Sequence, residues 1–334
     1  METMLRSVWI AALGAAVVLG GLPSSAQRPG AAATSGGRPD ARSALIGTWR
    51  LAQSQSDATA VAAGTLGLMV FDPDGYVAVA VMQSGRQKYA ESAPTPAEAK
   101  AAFGSFTSYF GTYTVDAPAK AITFRVLGGL DHNLTDTDRR ISFEVSVDRA
   151  TFKMPLRANG PAQALTWERV PSLGSFTPTH RKLIGFWKLV PNQGDAAAAA
   201  SDDERRGYII YTAAGQMAVH IMPAGRMKYA GTEPTPEEAL AALRGYSSYF
   251  GPYTVNEQDG YVVHQRVAHT IPGSIGTNAQ RFYEFAGKRL VLRLFSTSFT
   301  EPTTMKAAKS EGREPSMITW ERLSAYPDGQ RQGQ

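Results

Sequence analysis

The chain has 334 residues with a net charge of +5, 10% aromatic residues and no cysteine. Without cysteine there is no disulfide, thiol nucleophile or cysteine metal site. A mild charge with scattered Lys and Arg excludes the clustered basic face that nucleic-acid binding needs.

Taken in chain order, Met1 to Ser7 is a short polar start, followed by the apolar run Val8–Leu22 and then Pro23, Ser24, Ser25 and Ala26. A 7–15-residue apolar core ending in small residues is the pattern of a secretory signal peptide. Cleavage after Ala26 is therefore expected, giving a protein exported to the periplasm or the extracellular space, with no stable membrane span after cleavage. Residues 27–43 are rich in Pro, Gly, Ala and Ser and read as a flexible leader.

From there the chain is written twice. Leu45-Ile-Gly-Thr-Trp-Arg-Leu51 returns as Leu183-Ile-Gly-Phe-Trp-Lys-Leu189, an offset of 138. Gly85-Arg-Gln-Lys-Tyr-Ala90 returns as Gly225-Arg-Met-Lys-Tyr-Ala230, an offset of 140. Pro94-Thr-Pro-Ala-Glu-Ala99 and Ser108-Tyr-Phe-Gly111 return at the same offset, and Thr166-Trp-Glu-Arg169 returns as Thr319-Trp-Glu-Arg322. The order of the matches is kept, so the copies are domains of 44–170 and 182–323, with a linker at 171–181 and a disordered tail at 324–334.

Within a copy, short β-rich runs at 45–53, 66–72, 76–82, 111–116, 121–127, 140–147, 150–156 and 163–170 are separated by turn residues such as Asp72-Pro-Asp-Gly75. Eight strands at that spacing predict an all-β barrel or sandwich. One helix interrupts them after the third strand. Thr95, Pro96 and Glu98 form a capping-box start, and Ala99, Phe103, Phe106 and Phe110 then fall at helical spacing up to Gly111. Thr235, Pro236 and Glu238 repeat the start, and Gly251 is the expected stop.

Trp49 opens the first strand and Arg169 ends the last; Trp187 and Arg322 do the same in the second copy. If first and last strands pair, each sheet closes without a free edge. Arg169 then lies over Trp49 and Arg322 over Trp187, as structural plugs rather than catalysts.

The Gly-x-Trp opening, the Pro-Thr-Pro-x-Glu-Ala and Ser-Tyr-Phe-Gly stretches and the Thr-Trp-Glu-Arg ending resemble the lipocalin-like domain of bacterial and fungal proteins. The resemblance spans nearly all of both copies. It implies two tandem eight-stranded antiparallel barrels, each with a cavity for a small apolar or amphipathic molecule, and brings no catalytic residue set with it.

The copies diverge in the strands after the helix. Ile122, Phe124 and Val126 of the first copy stand where Val262, His264 and Arg266 stand in the second. Ile141, Phe143 and Val145 correspond to Arg281, Tyr283 and Phe285. His264, Arg266, Arg281 and Tyr283 thus replace apolar side chains on an inward face and are candidate ligand-binding residues; a register slip of one would turn them to solvent. Arg226 and Tyr229, in the loop after the third strand, read either as rim residues for an anionic head group or as a solvated loop. Ser296 to Met317 is an insertion of the second copy, either a lid or a plain loop. His132, His180, His220, His264 and His269 form no metal-ligand spacing, and no phosphate, dinucleotide or hydrolase motif is present, so no metal or cofactor is expected.

The expected function is an exported binding protein for a small hydrophobic or amphipathic molecule, anionic ligands included. Its rivals are an isomerase, cyclase or lyase with His264 as acid/base, and a structural envelope protein.

Overall fold

The computed structural model describes residues 40–52, 61–155, 160–190, 205–295 and 302–324. The expected signal peptide, the leader up to residue 39 and the tail from residue 325 lie outside the described residues. Among the described residues no helix is long and apolar enough to cross a membrane.

The first copy runs α1 (Ala41–Leu45), β1 (Gly47–Leu51), β2 (Leu66–Phe71), β3 (Tyr76–Met82), α2 (Pro96–Gly104), β4 (Phe106–Asp116), β5 (Ala121–Gly129), β6 (Asp138–Val145), β7 (Arg149–Pro155) and β8 (Ala162–Arg169). The second runs α3 (Pro178–Leu183), β9 (Gly185–Val190), β10 (Arg205–Tyr211), β11 (Gln216–Pro223), α4 (Pro236–Gly245), β12 (Ser247–Asn256), β13 (Tyr261–Arg266), β14 (Ala268–His269), β15 (Thr277–Ala286), β16 (Arg289–Leu294), α5 (Met305–Ser310) and β17 (Ser316–Arg322). All ladders are antiparallel. In the first copy β1 pairs with both β2 and β8, which closes the sheet. In the second, β17 pairs with β9 and β11 with β12; β13 and β14 form one strand broken at Val267. Both copies are therefore closed eight-stranded all-β barrels.

Two details differ from the sequence pattern, each for a physical reason. The helices end at Gly104 and Gly245, not at Gly111 and Gly251. Phe106, Ser108 and Phe110 fit strand spacing as well as helix spacing, and pairing with β3 decides for the strand, Met82 facing Phe106 and Ala78 facing Phe110. Gly111 and Gly251 instead sit where two strands touch. A Cβ there would lie 1.9 Å from the carbonyl oxygen of Arg125 or Gln265, so only glycine fits. The second difference lies in α1 and α3, which occupy stretches that read as leader and linker. Asp40 and Thr177 cap them by accepting backbone N–H groups.

Alternation along the strands divides the side chains into three cores. Two fill the barrels. The third lies between them, where the outer faces of β2–β4 and β9–β12 meet. Tyr76 stacks on Phe186 at 5.9 Å and Phe110 meets Tyr208 at 4.7 Å across this seam. Helices α2 and α4 pack against each other along it. These outer faces are apolar because the two copies bury them mutually.

Candidate functional site

The closed end of each barrel is built by the repeated Gly-x-Trp and Trp-Glu-Arg signals. Trp49 Nε1 donates to the carbonyl of Leu45 at 2.8 Å, and Trp187 Nε1 to that of Leu183 at 2.7 Å. The guanidinium carbon of Arg169 lies 4.2 Å from the Trp49 ring, and that of Arg322 4.2 Å from the Trp187 ring. Each arginine also donates to the carbonyl that follows the short helix, Ile46 or Ile184, at 2.7 Å. Gly47 and Gly185 have φ near +134° and +136°, and a Cβ on either would come within 2.6 Å of the arginine Nη1. Tryptophan, arginine and glycine form one plug, tying first strand, last strand and entry helix together.

Above its plug the first barrel is packed with hydrocarbon. Phe71 lies 6.0 Å from Phe124 and 5.9 Å from Phe152, with Tyr113 edge-on at 5.0 Å. Ile122, Val126, Ile141 and Met69 complete a dry interior.

The second barrel holds a polar column in the same place. His264 faces Ala279 and Tyr253 across its neighbouring strands, Arg266 faces Thr277, and Arg281 faces Val262 of the barrel core, so all three lie on the inner face. The His264 ring is fully buried between two phenols: its Nε2 lies 2.8 Å from the Tyr211 hydroxyl and its Nδ1 3.0 Å from the Tyr249 hydroxyl. Burial, then the charges of Arg281 and Arg266, hold its pKa well below the usual imidazole range. The ring is neutral, so one nitrogen donates and the other accepts. Burial likewise holds the Tyr211 hydroxyl well above its ordinary pKa, and it stays protonated.

Arg266 lies nearer the open end. Its guanidinium sits 5.8 Å from the Tyr249 ring centroid, and Nη2 donates to Thr277 Oγ1 at 2.5 Å. The residue is 4% exposed, and its Nε has no hydrogen-bond partner. Deeper in, Arg281 Nη1 donates to the carbonyl of Gln280 at 2.9 Å. Tyr283 shares the inner face but lies at the closed end, where its hydroxyl accepts from Thr179 Oγ1 of α3 at 3.2 Å. His264, Arg266 and Arg281 thus come together and Tyr283 stands apart from them.

Arg226 and Tyr229 are placed elsewhere, in the seam. Arg226 donates to the carbonyls of Gly129 (2.7 Å) and Leu130 (3.1 Å) of the first copy. Its twin Arg86 reaches the other way, to the carbonyls of His269 and Thr270, the latter at 2.7 Å. Tyr229 stacks on His132 at 4.8 Å and its backbone N–H donates to Asn133 Oδ1 at 2.8 Å. The repeated Gly-Arg-x-Lys-Tyr-Ala loop is therefore a reciprocal clamp between barrels rather than a ligand rim. A buried polar knot lies nearby: Ser108 Oγ is 2.9 Å from His220 Nδ1, from the Tyr246 hydroxyl and from Ser248 Oγ. The insertion of the second copy, where described, lies on the outer wall. Gln280, which faces Val263 rather than the interior residues, exchanges two hydrogen bonds with Thr303 at 2.7 and 3.1 Å.

With barrel closure, plug and interior described, the comparisons become specific. A family model described as the lipocalin-like domain matches residues 46–170 and again 184–323. The chain belongs to the lipocalin-like domain family. A search of curated proteins found no match. The two lipocalin-like barrels share one plug and one fold, and differ in what fills them.

Tyr211 and Tyr249 are site residues that the sequence comparison passed over. Tyr211 stands where the first copy has Phe71, a replacement visible at the same offset of 140. Tyr249 has an identical twin in Tyr109, so no difference between copies marks it.

Proposed function

We propose that the chain is an exported binding protein whose second barrel holds a small amphipathic molecule by an acidic head group. A lipocalin-like barrel is a fold that typically holds small hydrophobic ligands. The observation that carries the acidic head group is Arg266. Its guanidinium is buried on the inner face toward the open end, no carboxylate is paired with it among the described residues, and its Nε donor has no partner. A buried cation in that state is costly unless an anion or solvent reaches it. Below it, Leu189, Ile209, Val219 and Leu292 supply the apolar wall that a hydrocarbon body needs. Export is supported by the signal-peptide pattern, which gives Gln27 as the first mature residue.

An acid–base enzyme centred on His264 is less well supported. Both ring nitrogens are engaged by tyrosine hydroxyls, and the ring is held neutral, so neither nitrogen is placed to exchange a proton with a substrate.

The test is calorimetric titration of the full chain with dodecanoate and, separately, dodecanol. The carboxylate should bind at least tenfold more tightly. Arg266→Met should weaken dodecanoate by about 1.5–3 kcal/mol, the range for a hydrogen bond to a charged group, and leave dodecanol nearly unchanged. Equal affinity of the variant and the native chain for dodecanoate would overturn the reading.

A further inference from the structure

The two copies clamp each other with the same arginine, but the clamps close on different residues. Arg226 donates to the carbonyls of Gly129 and Leu130, and Arg86 to those of His269 and Thr270, each pair related by an offset of 140. Only one of the clamped stretches carries a ring, because the second barrel has His269 where the first has Gly129. We infer that Arg86 of the first copy is a positioning residue for the site in the second barrel, acting through His269. The inference rests on the reading of Arg266 as the head-group residue, and it gives the dry first barrel a part in binding.

Arg86 is itself held from the first copy. Its Nε donates to Ser105 Oγ at 2.9 Å, and its Nη2 to the carbonyl of Ala102 in α2 at 3.1 Å. A planar guanidinium fixed on one side presents its other N–H groups in a set direction. Here they meet the carbonyl of His269 and that of Thr270, the latter at 2.7 Å. Bonds from a charged donor are about twice as strong as neutral ones. β14 has need of them: it is two residues long, it is cut off from β13 by the break at Val267, and it pairs with β12 only at Tyr249 and Phe250. Arg266 is the last residue before that break.

The ring that β14 carries touches the site. His269 is buried and lies flat against Tyr249, with centroids 5.5 Å apart and planes 8° from parallel. Its Nδ1 accepts the backbone N–H of Ile271 at 2.9 Å, which sets the angle of the ring. Tyr249 joins the parts of the site, its hydroxyl 3.0 Å from His264 Nδ1 and its ring 5.8 Å from the Arg266 guanidinium. Displacing β14 therefore displaces the brace on Tyr249, and with it the face over which Arg266 is held. The first barrel has no such path. A Cβ on Gly129 would lie 2.7 Å from the carbonyl oxygen of Ser108 and 2.9 Å from Tyr109 Cβ, so no side chain fits there. Arg226 makes the same bonds as Arg86 to a stretch with no ring to position.

That twin supplies the control. The full chain and its Arg86→Met, Arg226→Met and His269→Ala variants are titrated with dodecanoate and with dodecanol, and the His264 imidazole signals are recorded by NMR without ligand. Arg86→Met should shift the His264 signals and weaken dodecanoate by about fivefold or more, the lower end of coupling between separate sites, while dodecanol affinity stays as it was. Arg226→Met should change none of the three. A merely structural loss would weaken both ligands and would not tell the two arginines apart. His269→Ala should reproduce the effect of Arg86→Met, and the double variant should bind no more weakly than His269→Ala alone, because both changes act on one path. Arg86→Lys keeps the charge without the fork, should fall between the native chain and Arg86→Met, and replaces the latter where it does not fold. Equal affinity of the native chain for dodecanoate and dodecanol would defeat the head-group reading, and the His264 signals would then decide this inference by themselves. It is overturned if Arg86→Met leaves those signals in place, if Arg226→Met moves them as far, or if the effects of Arg86 and His269 add.

Discussion

His264 is held at both ring nitrogens, at Nε2 by the Tyr211 hydroxyl and at Nδ1 by the Tyr249 hydroxyl. Relative to the first copy, Phe71 has become Tyr211, Phe124 has become His264 and Ile141 has become Arg281. Side chains of such different polarity can share one backbone because the hydrogen-bonding atoms added inside have partners, Arg266 Nε excepted. A buried group stripped of its partner costs about 1–3 kcal/mol. Tyr211→Phe should therefore destabilise the chain by about that amount, since His264 Nε2 loses its only hydroxyl. Adding His264→Phe should recover much of the loss, because the pair then repeats the dry pattern of the first barrel. Urea unfolding of the two single variants and the double variant measures the coupling, expected above roughly 1 kcal/mol for groups in direct contact. Strict additivity would mean that the hydrogen bond contributes nothing.

At the scale of elements, the plug explains why Leu45, Gly47, Trp49 and Arg169 return unchanged as Leu183, Gly185, Trp187 and Arg322. Leu45 and Leu183 are fully buried beneath Trp49 and Trp187, and the indole N–H groups reach back to their carbonyls. Removing the ring empties the end of the barrel and frees the first strand from the helix. Trp49→Ala or Trp187→Ala should cost about 3–5 kcal/mol in denaturant unfolding, the range for deleting a buried large aromatic. A cost below about 1 kcal/mol would place the ring at the surface instead. In the same way β4 and β12 show how an element is chosen. Phe106 and Phe110 satisfy a helical and an extended pattern equally, and the apolar seam beside β3 settles the matter.

At the scale of the whole molecule, the seam makes stability sensitive to acid. His220 is buried in the polar knot, and burial pushes its pKa down to about 3. His269, stacked under Tyr249, is pushed to about 3 by burial and by the charges of Arg266 and Arg86. In the unfolded chain both titrate near 6.5. Above that pH neither state binds the extra proton and stability is flat. Between 6.5 and 3 the unfolded state takes up a proton that the folded state refuses, so stability falls as pH falls. Each histidine should contribute a loss of about 1.4 kcal/mol per pH unit. From pH 6.5 to 5 the pair should cost about 3 kcal/mol, seen as a lower urea midpoint. His220→Gln should reduce the slope of the native chain by about 1.4 kcal/mol per pH unit, the contribution of one histidine; an unchanged slope would mean that His220 is accessible to protons in the fold.

The sequence by itself determined the duplication and the eight strands of each copy, which follow from a constant offset, period-two alternation and turn residues, all of which act over short stretches. Alternation and turns left barrel and sandwich open, and the lipocalin-like resemblance with the repeated Trp–Arg pair pointed to the closed, plugged barrel. It also marked His264, Arg266 and Arg281, because a polar residue replacing an apolar one on a buried face is visible whenever two copies can be laid side by side. Tertiary structure alone decided what Arg226 and Tyr229 do, since a loop arginine reads the same whether it meets solvent, a ligand or a neighbouring barrel. It alone joined Tyr211 to His264, whose strands are not neighbours in the sheet and whose side chains meet across the barrel interior. And it alone created the seam, because the outer faces of two barrels bury one another only once packing has brought them into contact.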